Sequence, residues 1–66
     1  MKNLVHESRQ RLAWSQQRLA DALGVSRQTV ISIERGRFDP SLPLAFRIAG
    51  VFNCTIEDLF FPDEPQ

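Results

Sequence analysis

The stretch from Ser15 to Gly36, SQQRLADALGVSRQTVISIERG, constrains this chain most. It predicts two short amphipathic helices joined by the tight turn Gly24-Val25-Ser26. Ser15 is a good N-cap, since its hydroxyl can accept from a free first-turn N–H. Leu19, Ala20 and Leu23 follow at helical spacing and form a buried stripe over a helix at 16–23. Gly24 ends that helix, because glycine takes the left-handed conformation cheaply. Val25 is expected in the core, and Ser26 caps a further helix that runs to about Arg35, with Gly36 as its stop.

One face of that helix has little to bury. With Arg27 at zero, Ile31 falls near ~40°, Arg35 near ~80°, Gln28 near ~100° and Ser32 near ~140°. Val30 and Ile33 lie opposite, near ~300° and ~240°, and make the core side. The free face therefore shows guanidinium and carboxamide groups from a two-helix frame. Such a face suits the reading of base edges in the DNA major groove. Arg27 and Gln28 sit in the first turn, which reaches deepest. Arg matches guanine O6 and N7, and Gln matches adenine N6 and N7, each pair worth ~1–3 kcal/mol of discrimination. Ser32 is a weaker reader. Ile31 either meets a thymine methyl or packs on a neighbouring loop. Gln16, Arg18, Thr29, Arg35 and Arg37 flank the helix as candidate phosphate contacts, Gln16 at a helix start where free N–H groups favour an anion.

Charge distribution agrees. The formal net charge is zero, yet residues 1–37 carry seven Lys/Arg against three Asp/Glu, a net of +4, and residues 38–66 carry one against five, a net of −4. Positive charge thus lies on the half that holds the two helices. Sixty-six residues make one domain with a thin margin of stability, which dimerisation would relieve. The single cysteine, Cys54, excludes an intrachain disulfide and a cysteine-based metal site, and fits a reducing cytoplasm. No apolar stretch has the form of a signal peptide or a bilayer span. The expected localisation is cytoplasmic.

Elsewhere, Asn3 is expected to cap a first helix running to about Ala13, with Val5, Ser8, Arg9 and Leu12 inward, a poor stripe. Trp14 is expected as a core plug at the junction. Ser41 caps a fourth helix with Pro43 in its first turn and a stripe of Leu44, Ala45, Ile48, Ala49 and Phe52. Thr55-Ile56-Glu57-Asp58 has the form of a capping box and opens a fifth short helix through Leu59 and Phe60. Pro62 is expected to stop it and leave a frayed tail. The fold class is all-α, five short helices. Arg9, inward on the first helix, and Glu34, on the core flank of the third, are expected to form a partly buried structural ion pair. Ile56, Phe60 and Phe61 hold more apolar surface than a terminal helix needs and are assigned to a two-fold dimer interface.

The run GVSRQTV…IERGRFDPSLPLAFRIA, within a match from about Asn3 to Phe60, strongly resembles the Cro/C1-type (XRE) helix-turn-helix regulators. The similarity is greatest to small single-domain members such as the cytolysin repressor and the YozG-like regulators. It implies a lambda-repressor-like five-helix domain over residues 1–61 with a short tail at 62–66. It also implies a homodimer that regulates transcription, as a repressor by preference, on a palindromic double-stranded DNA operator, with the recognition helix at 26–35. Two such helices would lie one DNA turn, ~34 Å, apart. By position, the resemblance places Arg27, Gln28 and Ser32 at bases, Gln16, Arg35 and Arg37 at phosphates, Arg9 with Glu34 between helices, and Ile56 and Phe60 near the two-fold axis. Ser8 departs from a usual Leu or Ile, and Leu12 is expected to compensate. Ile31 replaces a small polar residue. Some small relatives pair an N-terminal strand with a C-terminal one; the short N-terminus together with Pro62 and Pro65 predicts no such sheet here.

The competing class is a protein-interaction module of antitoxin or antirepressor type. An enzyme is not expected. His6 stands alone on the first helix and reads as a surface residue, and Cys54 reads as a small buried hydrophobe without a base partner. No catalytic residue, metal, cofactor, small-molecule ligand or membrane partner is expected.

Overall fold

The structure, a computed structural model, describes residues 1–62. Five helices follow in order: α1 (Val5–Arg11), α2 (Gln16–Leu23), α3 (Arg27–Glu34), α4 (Leu42–Val51) and α5 (Ile56–Leu59). Two short strands, β1 (Lys2–Asn3) and β2 (Phe60–Phe61), close the ends of the described chain on each other. The five-helix architecture is the one expected.

Side-chain caps open four of the helices, each accepting an N–H that has no intrahelical partner. Ser15 Oγ accepts from Arg18 N at 3.0 Å and Ser26 Oγ from Thr29 N at 3.1 Å. Ser41 Oγ accepts from Leu44 N at 3.3 Å. Thr55 and Asp58 form the reciprocal capping box at 3.3 and 3.1 Å. Those two hydrogen bonds, the backbone one first, lower the Asp58 pKa. Gly24 takes φ +72° at the end of α2, as the tight turn requires.

The core runs through every helix: Val5, Leu19, Ala20, Leu23, Val30, Ile33, Leu44, Ala45, Ile48, Ala49 and Leu59, with Phe60 from β2. Trp14, Val25, Phe52, Cys54 and Ile56 pack against it half-buried. Burial and the Asp58 carboxylate push the Cys54 thiol up despite Arg11, so it stays a protonated thiol.

Three local expectations are corrected. First, β1 and β2 do pair, antiparallel, with Lys2 opposite Phe61 and Asn3 opposite Phe60. Pro62, expected to prevent pairing, follows β2 and removes no ladder donor. Leu4 N extends the junction by donating to Leu59 O at 2.9 Å. Phe60 is accordingly extended rather than helical, and α5 ends at Leu59. Second, α1 stops at Arg11, because Ala13 takes the left-handed conformation at φ 58°. Leu4, not the expected Asn3, is the N-cap of α1; Asn3 stands one residue earlier, with Oδ1 accepting from Val5 N at 3.1 Å while Nδ2 donates to Ile33 O at 2.8 Å. The same side chain thus satisfies one end of α1 and one end of α3. Third, Leu12 does not compensate for Ser8: Ser8 is buried and Leu12 is 43% exposed. The ionic seam described below turns α1 so that Arg9 faces inward. The expected frayed tail beyond Pro62 lies outside the described residues.

Candidate nucleic-acid interface

α2 and α3 pack as a pair behind an outer surface formed by Arg27, Gln28, Arg35 and Arg37, all exposed. Val30 and Ile33 anchor α3 inward, leaving the first-turn Arg27 and Gln28 free to project. Ser32 and Ile31 are half-buried on the same helix. Ile31 lines a cleft of about 400 Å³ with His6, Gln16, Arg27, Glu34 and Arg35. Thr29 Oγ1 lies 2.9 Å from Ser26 Oγ, so its hydroxyl is already engaged with the cap. Arg18 lies over the Trp14 ring, its guanidinium carbon 4.5 Å from the centroid, which fixes the cation at the outer flank of α2.

Behind this surface stands a polar seam. Arg9 Nε donates to Glu34 Oε2 at 2.7 Å and Arg9 Nη2 to Oε1 at 3.3 Å. The side chains are 10% and 5% exposed, so the pair is well buried. Arg9 Nη1 donates to Trp14 O at 2.7 Å, tying the α1–α2 junction into the same group. Gln16 Nε2 donates to Glu34 Oε1 at 3.1 Å. Arg27 Nη2 in turn donates to Gln16 Oε1, at a long 3.4 Å. Burial by itself raises the Glu34 pKa. The hydrogen bonds from Arg9, Gln16 and His6 and the charge of Arg9 outweigh it, and the carboxyl is held below its ordinary range. Glu34 is therefore an ionised hub that links α1, α2 and α3, and Arg9 is spent inside the fold.

Gln16 is thus engaged at both ends of its carboxamide before any ligand arrives. His6, read from sequence as a surface residue, places Nδ1 3.3 Å from Glu34 Oε1 and 3.0 Å from Arg9 Nη2. Its signal in the sequence was faint: three residues before Arg9 on one helix turn, beside a carboxylate 28 residues away.

The residues assigned to a dimer interface separate. Phe60 packs into this chain's own core at 7% exposure, and Phe61, its neighbour on β2, points outward. Ile56 is half-buried and lines a groove of about 270 Å³ with Met1, Asp39, Pro40, Leu42, Ala45 and Phe60. Leu42 and Phe46, which the sequence reading passed over, are 64% and 61% exposed one turn apart on α4. Proline at the start of α4 and leucine on both sides of it gave a strong helix pattern, but the pattern alone assigned Leu42 and Phe46 no partner. Among the described residues, no helix is long and apolar enough to cross a membrane.

Residues 5–59 match the helix-turn-helix family model, which takes in α1 through α5. The chain is 48% identical over 66 residues to the uncharacterized HTH-type transcriptional regulator MJ0272 of Methanocaldococcus jannaschii, covering all of both chains. It is 47% identical over 64 residues to the HTH-type transcriptional regulator YgzD of Bacillus subtilis, covering 97% of each. An HTH-type transcriptional regulator of Archaeoglobus fulgidus is 42% identical over 66 residues, all of this chain and 94% of the relative. With the α2–turn–α3 frame and its outward Arg and Gln already in place, these matches establish that the chain belongs to the XRE-type helix-turn-helix family.

Proposed function

We propose that this protein regulates transcription by binding double-stranded DNA in a sequence-specific manner, with α3 lying in the major groove. The observation that carries the reading is the outer face of α3. Arg27 and Gln28 are exposed in its first turn, while Val30 and Ile33 lock the helix into the core. Arg27 and Gln28 are the principal base readers, with Ser32 and Ile31 deeper in the same arc. Arg35 and Arg37 beyond the end of α3, Arg18 and Gln16 on α2, and the Thr29 hydroxyl serve the backbone phosphates. Selection of bound duplexes from a random pool, repeated across salt, tests this. Enrichment of one motif with affinity falling as salt rises supports it. Recovery of no motif, with salt-independent retention, overturns it.

The regulator acts as a homodimer on a palindromic operator, in the role of a repressor. The apolar surface on α4 and α5, Leu42 and Phe46 beside the Ile56 groove, favours a second copy as its cover. Phe60 lines that groove from the core side, and the exposed Phe61 is assigned to the same interface. A monomer mass at every concentration in sedimentation would sink the dimer. An antitoxin-like or antirepressor-like role would use the same apolar face for a different protein, and a monomer that still binds an unpaired half-site would favour it.

A further inference from the structure

Glu34 Oε1 is oversubscribed. Gln16 Nε2 at 3.1 Å, Arg9 Nη2 at 3.3 Å and His6 Nδ1 at 3.3 Å all approach this one oxygen. His6 Nδ1 faces a second conflict, since Arg9 Nη2 lies 3.0 Å from it. A guanidinium only donates, so Nδ1 serves Arg9 as an acceptor only while it carries no proton. A proton on Nδ1, which the neutral ring carries in one tautomer and the imidazolium always carries, makes that atom a donor, which is repelled by Arg9 and turns to Glu34. It then competes with Gln16 for Oε1.

His6 is also placed to reach a ligand. Its side chain is 44% exposed. It lines the same cleft as Gln16, Arg27, Ile31 and Arg35, with Glu34 at the back. The charged groups around it are Arg9 on its own helix and Arg27, Glu34 and Arg35 on α3; α2 contributes the uncharged Gln16. We propose that this cleft is a phosphate-binding notch of the DNA interface and that His6 is its pH-dependent member. Protonated His6 draws Glu34 away from Gln16, freeing Gln16 Nε2 to donate to a backbone phosphate, and adds a cation beside Arg27 and Arg35. This rests on the DNA-binding reading above. It makes His6 a DNA contact and a positioning residue for Gln16, and it makes DNA affinity rise as pH falls, since histidine charge changes between about pH 5 and pH 8.

The test uses the full chain and a duplex recovered by the random-pool selection. Affinity is followed by fluorescence anisotropy at about pH 6 and about pH 8, across salt. The wild type should bind about tenfold more tightly at the lower pH, the worth of one added charge-assisted hydrogen bond. Its log–log salt slope should steepen there by about 0.9, one further phosphate. His6→Gln should bind at the weaker level at both pH values. His6→Arg should keep the tighter level at both, and covers the case in which His6→Gln folds poorly. Equal affinity and slope for the wild type at the two pH values overturns the proposal, as does a pH response kept by His6→Gln. Failure of the wild type to retain any duplex at either pH is a different result: it removes the DNA-binding reading, and the notch falls with it.

Discussion

Two junctions of this small domain are held together by different forces. Around α1 and α3 the junction is a polar seam: Arg9, Glu34, Gln16 and His6 meet within hydrogen-bond distance, and Asn3 bonds both helices. Around α4, α5 and β2 the junction is apolar: Leu44, Ala45, Ile48, Ala49, Leu59 and Phe60 pack on the common core. Directional bonds hold α3 at one angle but answer to pH. Apolar packing is less directional and tolerant of acid, and here it leaves Leu42 and Phe46 uncovered. The functions proposed for the two junctions follow the same division, DNA at the seam and a second copy at the apolar side.

The comparison can be broken at either junction. Ile48→Ala should be the most damaging substitution, since Ile48 is fully buried and truncation leaves a cavity. A loss of about 4 kcal/mol is expected in denaturant unfolding, much the same at neutral and mildly acid pH. Glu34→Ala should cost about 3 kcal/mol near neutral pH, by leaving Arg9 charged and unpaired. Its effect should vary with pH in a set direction. The Glu34 carboxyl sits below its ordinary range, so its contribution is complete above the unfolded glutamate pKa of about 4.3 and is lost as pH falls further. Wild type and variant should therefore converge in strongly acid solution, and a gap that persisted there would show the seam to be held by packing instead.

Arg27→Ala should leave the melting temperature near wild type, because the side chain is exposed and its one bond, to Gln16, is long. It should instead cost ~1–3 kcal/mol of discrimination at one operator position, visible in competition between matched and mismatched duplexes. The smallest effect is a gain. Ala13 holds a left-handed φ of 58° on an exposed residue, so Ala13→Gly should stabilise the domain by about 1 kcal/mol. A destabilised Ala13→Gly would mean that the α1–α2 turn is held by more than its backbone angle.

Local rules reached a long way into this chain. Ser15, Ser26, Ser41 and Thr55 were legible as caps because a cap is a contact within three residues. The inward sides of α2, α3 and α4 were legible because helical periodicity repeats several times in each. The ion pair of Arg9 with Glu34 was inferable because an inward charge needs a partner. α1 was harder: seven residues give periodicity little to average over, and Ser8, Arg9 and Leu12 compete for the same side. The β1–β2 pair was missed because two residues show no alternation and their partners lie at opposite ends of the chain. Within the candidate site, Arg27 and Gln28 could be found by helix angle alone, whereas the engagement of Gln16 and the place of His6 depend on how α1 crosses α3.

The element types, their starts, the outward Arg and Gln of α3 and its membership in a helix-turn-helix frame follow from residue order, because each rests on contacts of a few residues or on a repeated period. The burial of Phe60, the turning out of Leu12, the exposed Leu42 and Phe46 and the gathering of three side chains on Glu34 belong to the tertiary structure. They depend on the angles at which helices meet. Those angles are settled by the whole core at once, together with one buried carboxylate that needs every donor within reach. The stretch from Ser15 to Gly36 lays out the face proposed to meet DNA; the packing of α1 behind it decides which of its side chains are free.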